Sequence, residues 1–505
     1  FAASIEYVRG SLGQEYPLIL NGVKVNKTKL ADSVNPAQPE EVIGRVALAN
    51  KKDAEQAIEA ATSAFPAWRG LAVEKRAAFL IQIAEQVRKR RDEFSAWQIF
   101  EAGKTWREAD ADVVEAIDFL EYYAREAVRL SKQVNYNVPG EKNTYFYQPR
   151  GVGVVIAPWN FPLAILTGML SASIVSGNTV ILKPSSLTPV IAAKFMDLLC
   201  EAGLPDGVVN FLPGPGSEIG DYLVSHPRVN FIAFTGSQEV GCRIYKLAAE
   251  VQEGQTHLKR VIAEMGGKNA IIVDSDADLD DAVSGIVASA FGYQGQKCSA
   301  ASRVITVGNI HDVLVQRLVE TVRSLRIGKA EDPGSFMGPV IDEQAKKKIQ
   351  NAVEDGKRIA KIALEVDVSS SGNGFFVGPT VFTNVAPESD LAQKEIFGPV
   401  LAVIHANNFK EALNIASKTS YALTGGVYTR SVENMELAKR EFRVGNLYIN
   451  RKISGAIVGR QPFGGFKMSG IGSKAGGPDY LLQFMEPRTV TENTFRRGFS
   501  PEDLS

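Results

Sequence analysis

Residues 151–183 read GVGVVIAPWNFPLAILTGMLSASIVSGNTVILK. No charged residue occurs from Gly151 to Leu182, a length that would suffice to span a membrane. Two prolines decide against a span. Pro158 and Pro162 bracket Trp159, Asn160 and Phe161, and a helix running through both would lose the hydrogen bonds that proline cannot donate. The stretch resolves instead into a buried strand (151–157), a bend, a helix (163–176) and a second strand (179–183). Strands apolar on both faces and joined by a crossover helix belong to a parallel sheet, so the stretch predicts an α/β fold.

The same alternation continues downstream. Helices are predicted at 190–202, 216–224 and 239–250, with strands at 208–212, 229–234 and 260–264, the pattern of a doubly wound α/β domain. A second alternating block starts at 269–273. It continues with a helix at 279–291, a strand at 303–307, a helix at 311–325 and strands near 380–384, 400–405, 426–428 and 446–449. Upstream, the N-terminal third reads helical, with apolar residues at three-to-four spacing over 53–65, 73–103 and 108–131. After the break at Val138, Pro139 and Gly140, residues 144–148 read as an extended strand, and 488–492 form a lone extended segment near the end. Paired, these two make a small arm, marginal unless it packs on something else.

The 505 residues imply two or three domains. A net charge of −1 offers no electrostatic reason to bind nucleic acid or an anionic membrane. The basic runs at 88–91 and 346–348 lie in helical patterns and read as solvated faces. Three cysteines make no disulfide framework and point to a reducing compartment, the cytoplasm, or the mitochondrial matrix if a targeting segment has been removed. Four scattered histidines have no metal-ligand spacing.

Chemistry concentrates at Cys298 and Glu264. Each sits on a glycine-rich bend, in GYQGQKCSAAS (292–302) and AEMGGKN (263–269). A thiol that forms a covalent bond and a carboxylate that activates water are the two parts of thioester chemistry. Lys297 is a candidate for lowering the thiol pKa, although neighbours in an extended loop point apart. GPGSEIG (214–220) and FTGSQEVG (234–241) each place glycine where a strand turns into a helix, suited to a pyrophosphate at the helix N-terminus. A tight turn needs glycine for its own sake as well. Lys183 ends a strand at the edge where open α/β sheets bind ligands, or is simply solvated there. Asn160 is either an amide donor to an oxyanion or an ordinary turn residue. Glu395 and Phe397, two apart, would share one side of a strand.

Seven motifs in one order carry a resemblance: PWNFP (158–162), LKP (182–184), FTGS (234–237), EMGGK (264–268), GQKC (295–298), EIFGP (395–399) and PFGGFKMSG (462–470). In these the chain resembles the NAD(P)-dependent aldehyde dehydrogenases along nearly its whole length. The resemblance implies a Rossmann-type NAD(P)-binding domain (1–137 and 159–268), an α/β catalytic domain (269–480) and a small β oligomerisation arm (138–158 and 481–505). It implies Cys298 as nucleophile, Glu264 as general base and Asn160 as oxyanion donor. Pro158, Trp159, Lys183, Ser186, Gly214, Phe234, Gly236, Ser237, Glu395 and Phe397 are implied around the cofactor. Ser186 stands where many NAD-preferring relatives carry glutamate, which leaves NADP as a second acceptor.

Within the family, QGQKCSAAS (294–302), NRKISGAIVG (450–459), QPFG (461–464) and Glu115 resemble the subgroup that oxidises L-glutamate γ-semialdehyde. Ser299 and the backbone N–H groups of Gly455 and Ala456 are then expected to hold the α-carboxylate. Phe161 and Phe463 would flank the stem, and Glu115 would lie near the ammonium. Apart from the resemblance, Gly455 and Ala456 read as a plain turn and Phe463 as core. The expected partners are a small-molecule substrate and further copies of the chain, at least as a dimer, with no nucleic acid and no membrane. The rival readings are oxidation of another aldehyde such as succinate semialdehyde, and a non-catalytic protein on the same scaffold.

Overall fold

The computed structural model of the protein describes residues 1–495. Its centre is an eight-stranded sheet in the order Gly470–Ile471, Arg260–Glu264, Phe231–Thr235, Val152–Ile156, Thr179–Lys183, Val209–Phe211, Leu18–Leu20, Val23–Val25. The five strands from Arg260–Glu264 to Val209–Phe211 run parallel. Strand order reverses beside Val152–Ile156, and it is outside the carboxyl ends of the strands at such a reversal that open α/β sheets bind ligands. Both sheet faces are buried because alternate residues feed different cores. Val155, Leu182, Ala233 and Ile262 pack on one side, and Val154, Ile181, Ile232 and Val261 on the other. The helix Ala164–Val175, which joins Val152–Ile156 to Thr179–Lys183, is buried nearly all round. At 12 residues it is about 18 Å long, too short to span a bilayer. No helix of the described residues is long and apolar enough to cross a membrane.

A second, seven-stranded sheet runs Lys361–Glu365, Thr380–Thr383, Val400–Ala406, Ala301–Val307, Asn269–Val273, Thr424–Tyr428, Asn446–Ile449, antiparallel only at its first strand. It too carries a core on each face. Only residues 265–268 separate the last parallel strand of the first sheet, Arg260–Glu264, from Asn269–Val273 in the second. The EMGGK bend therefore links the two sheets.

Three expectations change. The N-terminal third is not wholly helical: five strands lie between Gln14 and Ala47, ahead of the helices Lys51–Gly70, Val73–Lys89, Arg91–Ala102 and Trp106–Leu130. Three of those strands have only three residues, too short to show a period-two pattern. Residues 216–224 form no single α-helix: a π-turn, Gly216–Gly220, runs into Asp221–Ser225. The segment 138–158 divides. Glu141–Pro149 pairs antiparallel with Met485–Asn493, Arg488 opposite Phe146, and Val134–Asn135 adds a third strand. Val152–Ile156 belongs to the middle of the eight-stranded sheet, where its fully apolar character buries it. Of the 481–505 segment, Leu481 and Phe484 lie buried in the main core and residues 496–505 lie outside the described residues.

Candidate active site

The helix Leu279–Phe291 ends in a loop that carries Cys298. Tyr293 and Gln294 are left-handed there, with φ of 50° and 57°. Such backbone costs on the order of 1 kcal/mol or more per residue and persists only where the surroundings enforce it. They do so here. The Tyr293 hydroxyl donates to the Ala102 carbonyl at 2.9 Å, and the Gln294 amide to the Pro339 carbonyl at 2.6 Å. The Gln296 side chain accepts from the Ile341 N–H at 3.0 Å, and the Gln296 carbonyl accepts from the Asn160 amide at 3.0 Å.

The nucleophile's own carbonyl is gripped. Asn269 Nδ2 donates to the Cys298 carbonyl at 2.7 Å and to Ala300 at 2.8 Å, while its Oδ1 accepts from the Thr424 N–H at 3.0 Å. A Cβ on Gly267 would stand 2.8 Å from the same Cys298 oxygen. The sequence carries no signal of this role for Asn269, because an asparagine at a strand start is unremarkable until its cross-sheet partners are seen. Asn269→Ala is expected to slow iodoacetamide alkylation of Cys298 about tenfold, the scale of two lost buried hydrogen bonds; an unchanged alkylation rate would remove the grip.

Cys298 and Glu264 face one cavity and act on each other's ionisation. Burial pushes the thiol well above its usual range, the Glu264 charge adds to that, and the Ser299 N–H opposes it. Burial lifts the Glu264 carboxyl to about 7, partly offset by the thiol. Glu264 Oε1 is buried without a hydrogen-bond partner among the described residues. Lys297 directs its ammonium away from the thiol, to Glu108 at 2.6 Å. Neighbouring side chains diverge in the loop, and the lysine follows the helix Trp106–Leu130.

Cys298 and Glu264 line one cavity of about 300 Å³. Glu115, Phe161, Ser299, Gly455, Ala456 and Phe463 line the same cavity, so the six residues expected at a substrate converge from five chain segments. Burial lifts the Glu115 carboxyl to about 8, with Asp112 adding to it and Lys104 and Lys297 opposing. Gly470 sits beside the base. The Met265 N–H donates to the Ser469 carbonyl at 2.8 Å, and a Cβ on Gly470 would approach the Ala263 carbonyl to 2.6 Å.

The remaining expected residues surround the sheet crevice. Pro158 and Trp159 follow the strand Val152–Ile156; Gly236 and Ser237 follow Phe231–Thr235. Lys183, Ile156, Phe234 and Ala263 form one row across the sheet. Ser237 caps the helix Gln238–Ala249 by accepting from the Val240 N–H at 3.3 Å, and Gly236 is hemmed by the Phe234 ring. Lys183 is buried, its ammonium meets only the Pro184 carbonyl, at 3.4 Å, among the described residues, and burial pushes it down to about 8. Ser186 donates to the Gly214 carbonyl at 3.5 Å. Glu395 accepts from the Gly267 N–H at 2.8 Å. Glu395 and Phe397 are not on a strand: Phe397 is left-handed, with φ of 63°, and its ring meets Trp159 edge to face at 5.5 Å. Residues 395–399 turn at that point, which breaks the two-residue alternation expected of them. A buried ammonium with donors to spare, a carboxylate with free lone pairs and a capped helix N-terminus fit the hydroxyls and pyrophosphate of a dinucleotide.

The chain matches the family model described as "Aldehyde dehydrogenase family" over residues 23–490. It is 55% identical over 493 residues to the 1-pyrroline-5-carboxylate dehydrogenase of Geobacillus thermodenitrificans, covering 97% of this chain and 96% of that one. To the 1-pyrroline-5-carboxylate dehydrogenase 2 of Bacillus subtilis it is 52% identical at the same coverage. Among solved structures, 1-pyrroline-5-carboxylate dehydrogenase from Thermus with bound NAD superposes with a TM-score of 0.94 at 48% identity, over 97% of this chain and 95% of that one. Proline utilization A from Bdellovibrio bacteriovorus gives 0.97 at 50% identity over 99% of this chain, which spans 52% of that longer protein.

Proposed function

The chain belongs to the aldehyde dehydrogenase family, and from that premise we propose how its site works. It oxidises L-glutamate γ-semialdehyde, the open form of 1-pyrroline-5-carboxylate, to L-glutamate with NAD as acceptor, a step of proline breakdown. The observation that carries the reading is the meeting of Cys298 and Glu264 in one cavity walled by the six residues expected to hold this substrate.

Cys298 gives up its S–H proton to solvent water, the thiolate Sγ bonds to the aldehyde carbon, and the C=O π pair moves onto the oxygen as negative charge. The Asn160 amide has two N–H bonds and spends one on Gln296, so the second is free for that oxygen beside the Cys298 N–H. The tetrahedral carbon can then part with hydride, which the planar aldehyde holds. NAD, when bound, supplies the hydride acceptor. Lys183 and Glu395 would hold its ribose hydroxyls, Gly236, Ser237 and the helix N-terminus its pyrophosphate, and Trp159 and Phe397 would wall its reactive ring. The thioester left on Cys298 is cleaved by water whose proton goes to Glu264, a carboxylate that burial has made basic enough for the task. Oxygen joins the acyl carbon and the C–S bond breaks.

The polar wall suits a zwitterion. Backbone N–H groups at Gly455 and Ala456 and the Ser299 hydroxyl face the α-carboxylate, and Glu115 lies at the ammonium end. Ser186 bears no charge to repel a 2′-phosphate, so NADP serves as a second acceptor. The three-stranded arm exposes Tyr136 (75%) and Val490 (41%), and we propose that it pairs with a second copy of the chain. The three free thiols support a reducing compartment for the enzyme.

Initial rates on glutamate semialdehyde, succinate semialdehyde and propanal test the substrate, each with NAD and NADP. The first aldehyde is expected to exceed the others in kcat/KM by about 10²-fold or more, the worth of the ammonium that succinate semialdehyde lacks and of the ammonium and carboxylate that propanal lacks. Equal rates would sink the assignment, and no turnover with NADP would sink the reading of Ser186.

A further inference from the structure

Behind the substrate cavity lies a charge that the proposed chemistry does not use. Lys104 and Asp112 are both 0% exposed and paired at 2.9 Å. Lys104 stands just past Gly103, whose φ of 62° closes the helix Arg91–Ala102. Asp112 lies on the next helix, Trp106–Leu130, and its other oxygen accepts from the Ala164 N–H at 2.6 Å, at the start of the helix that follows the PWNFP bend. The Lys104 ammonium sits 4.1 Å from the centre of the Phe161 ring and 4.4 Å from that of Tyr293. Phe161 lines the cavity and Lys104 does not, so the ammonium lies behind the ring. Tyr293 is one of the left-handed residues of the nucleophile loop.

One buried cation thus touches the ring that walls the substrate stem and the loop that carries Cys298, and an anion anchors it to two helices. Desolvating an ion pair is costly, and apolar residues of similar volume would serve bulk stability as well or better. The pair is explained by the position it enforces. A desolvated ammonium holds an aromatic face more directionally than an alkyl group does.

We propose that Lys104 is a positioning residue for substrate specificity: held by Asp112, it sets the Phe161 ring against the nucleophile loop and so fixes the width of the channel for the aldehyde stem. The inference rests on the proposed reaction for its choice of substrate, and its test separates the two. Lys104→Met with Asp112→Leu removes both charges and leaves no unpaired ion. KM for glutamate semialdehyde is expected to rise about tenfold, the loss of a desolvated cation–π contact, with kcat within about threefold because Cys298 and Glu264 are untouched. Adding the double change to Phe161→Leu is expected to raise KM by less than about twofold more, since the ring it acts through is gone. A role in packing alone would give the same increment in both backgrounds, or lower kcat and thermal midpoint with KM unmoved, and either result overturns the proposal. Should the double variant fail to fold, Asp112→Asn keeps the ammonium and loosens its anchor. It is expected to raise KM about threefold, and an unchanged KM there overturns the proposal as well. If the wild-type enzyme fails on glutamate semialdehyde, the reaction assignment falls, and the same KM comparison is made with whichever aldehyde it oxidises.

Discussion

Cys298→Ala is expected to lower NADH production from glutamate semialdehyde by about 10⁴-fold or more, the scale for losing a covalent nucleophile. No acyl adduct should appear on the intact protein when aldehyde and NAD are mixed. The loss would be chemical, because the groups that shape the loop hold its backbone and not the thiol. Asn269 bonds the Cys298 carbonyl, Asn160 bonds the Gln296 carbonyl, and Tyr293 and Gln294 are pinned to residues 102 and 339. Alanine satisfies every one of these contacts. The variant should therefore keep its thermal midpoint and its affinity for NAD. Residual turnover within tenfold of wild type would mean that some other group attacks the aldehyde, and the covalent route would have to be abandoned.

Cys298 and Glu264 stand out in the sequence because each interrupts an apolar pattern with glycines, and the strands and helices on either side are long enough to show their period. The parallel sheet is legible from residues 151–183 for the same reason. What stays hidden depends on chain segments far apart. Lys104, in a short polar link between two helices, reads as a solvated lysine; its burial is created by Asp112, Phe161 and Tyr293, from three other segments. Asn269 acts on Cys298 and Ala300, about thirty residues away, across neighbouring strands of the second sheet. Phe397 breaks its strand by a left-handed backbone that its residue type disfavours. The three-residue strands before residue 26 carry too little pattern to be seen. In each case the deciding interaction is tertiary, and local propensity is overruled.

Glu264→Gln is expected to stall the enzyme after its first turnover: about one equivalent of NADH per active site, then a rate lower by about 10²–10⁴-fold, the range for removing a general base. The acyl-enzyme should accumulate and be visible as a mass increase on Cys298, since the amide cannot take a proton from water. Wild-type deacylation should follow the carboxylate itself. With its carboxyl at about 7, Glu264 is protonated and inactive below that pH and ionised above it. The rate should climb about tenfold per pH unit below 7 and level off above, and the glutamine variant should lose this limb. The same substitution should act on the thiol in the opposite sense. The Glu264 charge helps hold the thiol well above its usual range, so a neutral amide should let Cys298 ionise at lower pH. The pH profile of Cys298 alkylation should therefore shift to lower pH in the variant whose turnover has collapsed. A merely structural glutamate would give neither the burst nor the paired shift, because a distorted loop would slow acylation and deacylation together.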